Sequence, residues 1–239
     1  MWKKWCYTVL KYNIGSEIMF KTELHCHSLE ISECARVNCD DIIEKYTEAG
    51  YNTLVLANHL NRGTMRFQKT ESWQEFIEKY WSAYELLKEK AKGKINILPG
   101  AELRFVENIN DYLLFGVTKE FLLKYDNMLE LNPEKFHKIA KENGILFIQA
   151  HPFRNRMTIV EPWHLDGVEV FNGHKGHDSR NEIAYAWAEK YNLLKTSGTD
   201  FHYKDTPANA GILTDFEIKD LDTLVKTLKE GNYTLIKDC

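Results

Sequence analysis

The chain has 239 residues, of which 44% are apolar and 28% charged, with a formal net charge of −4. That length supports one domain with a full hydrophobic core, and the absence of a basic excess argues against a dedicated nucleic-acid coat protein. The five cysteines (Cys6, Cys26, Cys34, Cys39 and Cys239) form no CxxC pair, which argues against a disulfide framework and a zinc ribbon and favours reduced, cytoplasmic thiols. No apolar run approaches the ~20 residues of a membrane span.

Residues 1–18 lack a signal-peptide core and cleavage site. They read as an N-terminal extension or strand, with Met19 as an alternative start, before a single domain over 19–239. Residues 21–26 read as a strand, and Asp40–Ala49 as a helix closed by Gly50. Thr53–Ala57 is an apolar run expected of a buried parallel strand. Ser72 and Glu75 have capping-box spacing ahead of a long helix carrying Phe76, Tyr80, Tyr84 and Leu87. Ile95–Leu98 reads as a strand that stops at Pro99-Gly100, and Asp111–Val117 as another. Asn132-Pro133 opens a helix that ends at Gly144. Strands follow at 145–150 and 167–171, a helix after Asp178, a strand over Leu193–Thr196, a last helix over 219–230 and a closing strand at 232–237. Repeated strand–helix units imply a parallel sheet, either a barrel or doubly wound, with its site at the strand C-termini.

The notable polar residues sit at those strand ends: His25 and His27, His59, Glu102, His151, Asn172, then Asp200 and His202. Side chains two apart on a strand share a face, so His25 and His27 can reach one metal ion, and Asp200 with His202 repeats the arrangement. A lone histidine beside apolar residues is usually a hydrogen-bonded core residue. Five such sites at consecutive strand ends point instead to one converging rim. His174 and His177, after the 167–171 strand, read as pocket contacts, His137 as a surface residue inside a helix and His164 as a loop residue after Trp163.

The runs ELHCHS, ANH, PGAELRF, QAHPFR, GVEVFNGH and SGTDFH, in this order over residues 20–215, resemble the motif series of the PHP (polymerase and histidinol phosphatase) superfamily. The resemblance implies an α/β fold, a distorted TIM-like (β/α)7 barrel, and two or three divalent ions: zinc, manganese or iron. It implies that His25 and His27 hold one ion with Asp200. Glu102 bridges to a second ion, which His151 also binds. His59 and His202 bind a third, with Glu30 as the preferred further ligand and Glu33 as the alternative. Many members carry a histidine on the strand after the bridging Glu; here Asp111 is the nearest candidate, with a turn residue as the other reading.

Such a cluster suits hydrolysis of a phosphate ester, because divalent ions lower the pKa of bound water and offset phosphoryl charge. Glu102, Asp200 and Arg154 are expected to carry the chemistry. Arg154, Arg104, His174, Lys175 and Arg180 are expected to contact the substrate, with Glu33 or Glu107 as rival partners for Arg104. A phosphomonoester, nucleotide or short oligonucleotide is the expected substrate, with neither membrane nor obligate protein partner. The competing readings are an amidohydrolase-type barrel enzyme and a non-catalytic, metal-stabilised binding domain. Cys26, between two ligand positions, should face the core, whereas Cys34, in the more exposed loop after HxH, reads as a small neutral residue, with contact to the site as the other reading.

Overall fold

The computed structural model of the chain describes residues 19–238, so the reading of residues 1–18 lies outside the described residues. In chain order the elements are β1 (Phe20–Cys26), α1 (Cys39–Glu48), β2 (Thr53–Leu56), β3 (His59–Leu60), α2 (Arg62–Phe67), α3 (Trp73–Lys90) and β4 (Asn96–Leu103). β5 (Tyr112–Phe115), α4 (Lys119–Lys124), α5 (Pro133–Glu142), β6 (Leu146–Gln149) and β7 (Gly167–Asn172) follow. The chain then forms α6 (Asn181–Tyr191), β8 (Leu194–Gly198), β9 (Ala210–Thr214), α7 (Leu221–Glu230) and β10 (Thr234–Lys237).

Local chemistry sets most of these boundaries. At α1, Asn38 Oδ1 accepts from Asp41 N while the Asp41 carboxylate accepts from Asn38 N, a reciprocal pair that satisfies two free amide groups. At α3 the box is only half closed: Ser72 Oγ accepts from Glu75 N, but the Glu75 carboxylate takes the amide of Glu71. Pro133 occupies the first turn of α5 behind Asn132, whose side chain accepts from Lys135 N.

The strands run in the order β10-β9-β1-β2-β4-β5-β6-β7-β8. The segment after β8 returns to β1 through a parallel bridge between Cys26 and Phe201. There Phe201 N donates to His25 O and His27 N donates to Phe201 O, both at 3.2 Å. β1, β2, β4, β5, β6, β7 and β8 thus make a nearly closed seven-stranded ring, the distorted TIM-like barrel expected from the sequence.

Three expectations need correction. The ring is not all parallel, because β5 is antiparallel to both β4 and β6. The link over residues 104–111 carries no helix and is too short for a parallel crossover of about a dozen residues. Pro99-Gly100 does not stop a strand: β4 runs through it, with Pro99 in register with Leu56 and Gly100 with Phe115. Gly100 serves close approach, since a Cβ there would meet Val55 Cγ1 at 2.5 Å. Finally, β9 was not anticipated; it pairs antiparallel with β1 and with β10.

The aromatics of α3 are core, not pocket. Phe76, Ile77 and Tyr80 pack with Phe105, Tyr112, Phe136 and Phe147, each buried side chain contributing on the order of 2 kcal/mol. The Tyr80 hydroxyl also reaches the carbonyls of Asn58 (2.7 Å) and Gly100 (3.1 Å), tying α3 to the strands that carry the site. Among the described residues, no helix is long and apolar enough to cross a membrane.

Candidate metal centre

His25 is fully buried, and its Nδ1 lies 2.9 Å from Glu169 Oε1. A carboxylate only accepts, so Nδ1 carries a proton and Nε2 is the nitrogen left for a ligand. That Nε2 points at Glu102 Oε1 (3.4 Å) and Asp200 Oδ1 (3.5 Å). His27 Nε2 converges on the same carboxylates, 3.5 Å from Glu102 Oε2 and 3.3 Å from Asp200 Oδ1. His151 Nε2 lies 3.1 Å from Glu102 Oε1. His59 Nδ1 stands 2.6 Å from Glu102 Oε2, out of hydrogen-bond alignment. His202 turns Nδ1 to the carbonyl of Asp200 at 2.9 Å. The strand-end residues expected as ligands therefore do meet at one mouth of the ring.

The donor set fits divalent cations. His25 Nε2, His27 Nε2, His59 Nδ1 and Glu102 Oε2 are buried without a hydrogen-bond partner, a costly state unless a ligand satisfies them. Three groups bring their ligand atoms within 4.8 Å of one another: His25, His27 and Asp200; His27, His59 and His202; and His59, Glu102 and Asp111. Mixed imidazole and carboxylate donors suit zinc, manganese and iron alike.

The electrostatics are strongly coupled. Burial opposes charge on Glu102, but His59, His25 and His151 hold its carboxyl well below the usual range. Asp200 behaves likewise, burial being outweighed by His25, His202 and His27. In return Asp200, Glu169 and Glu102 hold His25 well above its ordinary value despite burial. Burial, His202 and His59 push His27 well below it. Backbone strain accompanies the site: His151 and Asp200 have φ of 29° and 52°, a left-handed conformation that costs about 1–3 kcal/mol in a non-glycine residue.

Asp111 is in the site and buried, but both its oxygens are held by Arg104, at 2.6 and 2.7 Å. Arg154 Nη2 adds a contact at 3.2 Å. Arg104 therefore pairs with Asp111 rather than with Glu33 or Glu107. Both arginines line a cavity of about 580 Å3, together with His59, Glu102, His151, Asp200 and His202. His174 and His177 line it too, their rings stacked 4.4 Å apart.

Other candidates are not brought in. Glu30 turns its Oε1 to Cys39 N at 3.2 Å, the first residue of α1, and stays outside the ligand groups. The loop folds back on α1 there, which the sequence does not reveal. Glu33 is exposed on the cavity rim. Lys175 Nζ donates to Asp205 O at 3.0 Å. Arg180 donates to Phe153 O and Asn155 Oδ1. Neither residue lines the cavity.

Sequence reading misses Glu169 and ranks Cys34 first as a small neutral loop residue. Glu169, buried in β7, accepts from His25 Nδ1, from His151 N and from Asn172 Nδ2. An acid inside the apolar run GVEVF was the available signal. Cys34 places its Sγ 3.0 Å from both His59 Nε2 and His202 Nε2. Those imidazoles overcome the effect of burial and lower the thiol to about 6, while Asp200 and Cys34 raise His202 to about 10 against burial.

A seven-stranded ring with imidazoles and carboxylates converging at one mouth is the architecture of a distorted TIM-like barrel with a candidate metal centre. The chain belongs to the PHP domain family, whose model matches residues 23–230. A search among curated proteins returned no significant match. Among solved structures it is similar to a two-domain protein from Bacteroides vulgatus containing a predicted PHP-like metal-dependent phosphoesterase. The TM-score is 0.67 at 16% identity, covering 92% of this chain and 65% of that one. It is also similar to PsfC from Pseudomonas syringae (TM-score 0.67, 14% identity, 92% of both chains). A third is the lesion-specific endonuclease PfuEndoQ from Pyrococcus furiosus (TM-score 0.59, 15% identity, 91% of this chain and 58% of that one). The chain thus spans less than two thirds of the Bacteroides and Pyrococcus proteins.

Proposed function

We propose that the protein hydrolyses a phosphate ester at a cluster of two or three divalent ions. The observation that carries this reading is the convergence of unpartnered, buried imidazole nitrogens on Glu102 and Asp200 beneath two arginines. His25, His27 and Asp200 would hold one ion. Glu102, His151 and Asp111 would hold a second, and His59 and His202 a third. When bound, such ions lower the pKa of coordinated water and neutralise charge on phosphoryl oxygens.

The side chains supply the remainder. Glu169 fixes the proton on His25 Nδ1, so that Nε2 faces Glu102 and Asp200. Arg154 and Arg104 present guanidinium groups at the cavity wall, suited to a phosphoryl group in two-point contact. Asp111 holds both in place before the substrate arrives, so their orientation costs little at the moment of reaction. His174 and His177 border the space where the leaving group would lie. A cavity of about 580 Å3 accommodates a phosphomonoester or nucleotide.

The test is a panel of phosphomonoesters, nucleotides and short oligonucleotides, turned over by wild type and by Glu102→Ala, with metal content measured in both. A duplex with an abasic lesion belongs in it, since endonuclease Q has been captured with such a duplex at its active site. Glu102→Ala is expected to lose metal and turnover together, the latter by roughly 100-fold or more. Unchanged turnover in that variant would remove the mechanism.

A further inference from the structure

We propose that Cys34 is a thiolate ligand of the outermost subsite, binding one borderline-soft divalent ion, of the zinc type, together with His59 and His202. The inference rests on the metal-centre reading above and deepens it.

Cys34 Sγ lies 3.0 Å from His59 Nε2 and 3.0 Å from His202 Nε2. Sulfur and nitrogen ligands of one tetrahedral zinc ion lie about 3.6 Å apart, by the bond lengths of such sites, so the sulfur is within that reach of each imidazole nitrogen. The two imidazoles are turned for that role. His202 gives its Nδ1 proton to the Asp200 carbonyl at 2.9 Å, and His59 directs Nδ1 at Glu102. Each therefore presents Nε2 to the sulfur. The sulfur thus faces two imidazole nitrogens at once, and one cation would serve all three, its binding releasing the protons they carry.

A second observation points to a ligand at the same place. His27 is fully buried and its Nε2 has no hydrogen-bond partner. Its ring lies 4.5 Å from that of His59 and 4.3 Å from that of His202, and the three offer ligand atoms within 4.8 Å of one another. The loop is held for this geometry: Arg36 N donates to His202 O at 2.8 Å, and Ala35 N to Ser32 O at 3.1 Å. The Glu30 carboxylate turns Oε1 to Cys39 N and lies outside the ligand groups. Sulfur in the ligand set favours zinc or iron over manganese or magnesium. The rival arrangement is a thiolate held by two imidazolium N–H groups with no ion between them.

The test is spectroscopic and needs no substrate. Metal-stripped protein is titrated with cobalt(II). Wild type is expected to develop a near-ultraviolet thiolate-to-cobalt charge-transfer band beside the visible ligand-field bands. Cys34→Ser is expected to lose the charge-transfer band and to weaken cobalt binding at this subsite by roughly 100-fold or more. Cys34→Asp, which restores a ligand without sulfur, is expected to recover binding but not the band. Zinc should protect Cys34 from alkylation, as read by peptide mass spectrometry. Ligand-field bands without a charge-transfer band in wild type, or an unchanged band in Cys34→Ser, would overturn the thiolate assignment and leave the metal centre standing. No cobalt uptake at all would overturn both.

Discussion

At the residue scale, the site works through pairs in which one partner aligns the other. Glu169 meets no ligand position itself, yet it decides which nitrogen of His25 is free and holds the amide of His151. Glu169→Gln keeps the size and hydrogen-bonding reach but removes the charge. We expect metal affinity to fall about 10- to 100-fold, measured by chelator competition, with near-native circular dichroism; equal affinity would deny Glu169 its orienting role. The candidate ligands beside it were legible in the sequence because each follows an apolar strand, and such positions gather at one rim of an α/β barrel. Glu169 was not, because a single acid within an apolar run does not reveal what it faces. The directions of Cys34 and Glu30 are hidden for a related reason: both lie in an irregular loop, where spacing carries no period that would fix direction.

At the scale of elements, caps and apolar runs showed where helices and strands lie, but not which way each strand points. β5 reads as apolar in either orientation, and only the length of its connection to β4 decides. Gly100 illustrates how a residue usually taken as a breaker can instead be a packing requirement. Gly100→Ala would force a Cβ against Val55 Cγ1, and such overpacking costs about 1–3 kcal/mol. Urea unfolding should show that loss, and Val55→Ala in the same chain should return part of it; two additive losses would refute the clash. At α7, Asp220 caps the helix by accepting from Thr223 N at 2.7 Å. Asp220→Ala should cost roughly 1 kcal/mol at neutral pH. The same hydrogen bonds hold the carboxyl below its ordinary value of 3.8. The charge-dependent part of the cap is therefore complete above that value and fades as the pH falls through the lowered one. The gap between variant and wild type should narrow in acid, and a gap that widens there would contradict the assignment.

At the scale of the whole molecule, the ring closes where β1 meets the segment after β8, and the candidate ligands lie on both sides of that seam. His25 and His27 stand on one side, Asp200 and His202 on the other. Ions bound there would tie the seam together, so metal and global stability should be linked. At a hundredfold excess over its dissociation constant, zinc should stabilise the stripped protein by about 2.7 kcal/mol, a rise in Tm of roughly 5–10 °C for a domain of this size. Amide exchange at residues 199–203 should slow by a similar factor. An unchanged melting curve with zinc bound would mean that the seam needs no such tie. Barrel class could be inferred from the order of elements along the chain, whereas the seam depends on backbone pairing between residues far apart, which no local pattern encodes.

The reversed fifth strand also bears on how such a barrel can diversify. Because β5 runs back beside β4, residues 104–111 turn at the mouth that holds the ligands, and their middle is open to solvent, with Val106 and Ile109 about half exposed. Insertions at 106–109 would remodel the doorway while Glu102 and His151 keep their strand addresses. New selectivity is therefore most readily grafted onto that hairpin, by natural drift or by a designed loop library.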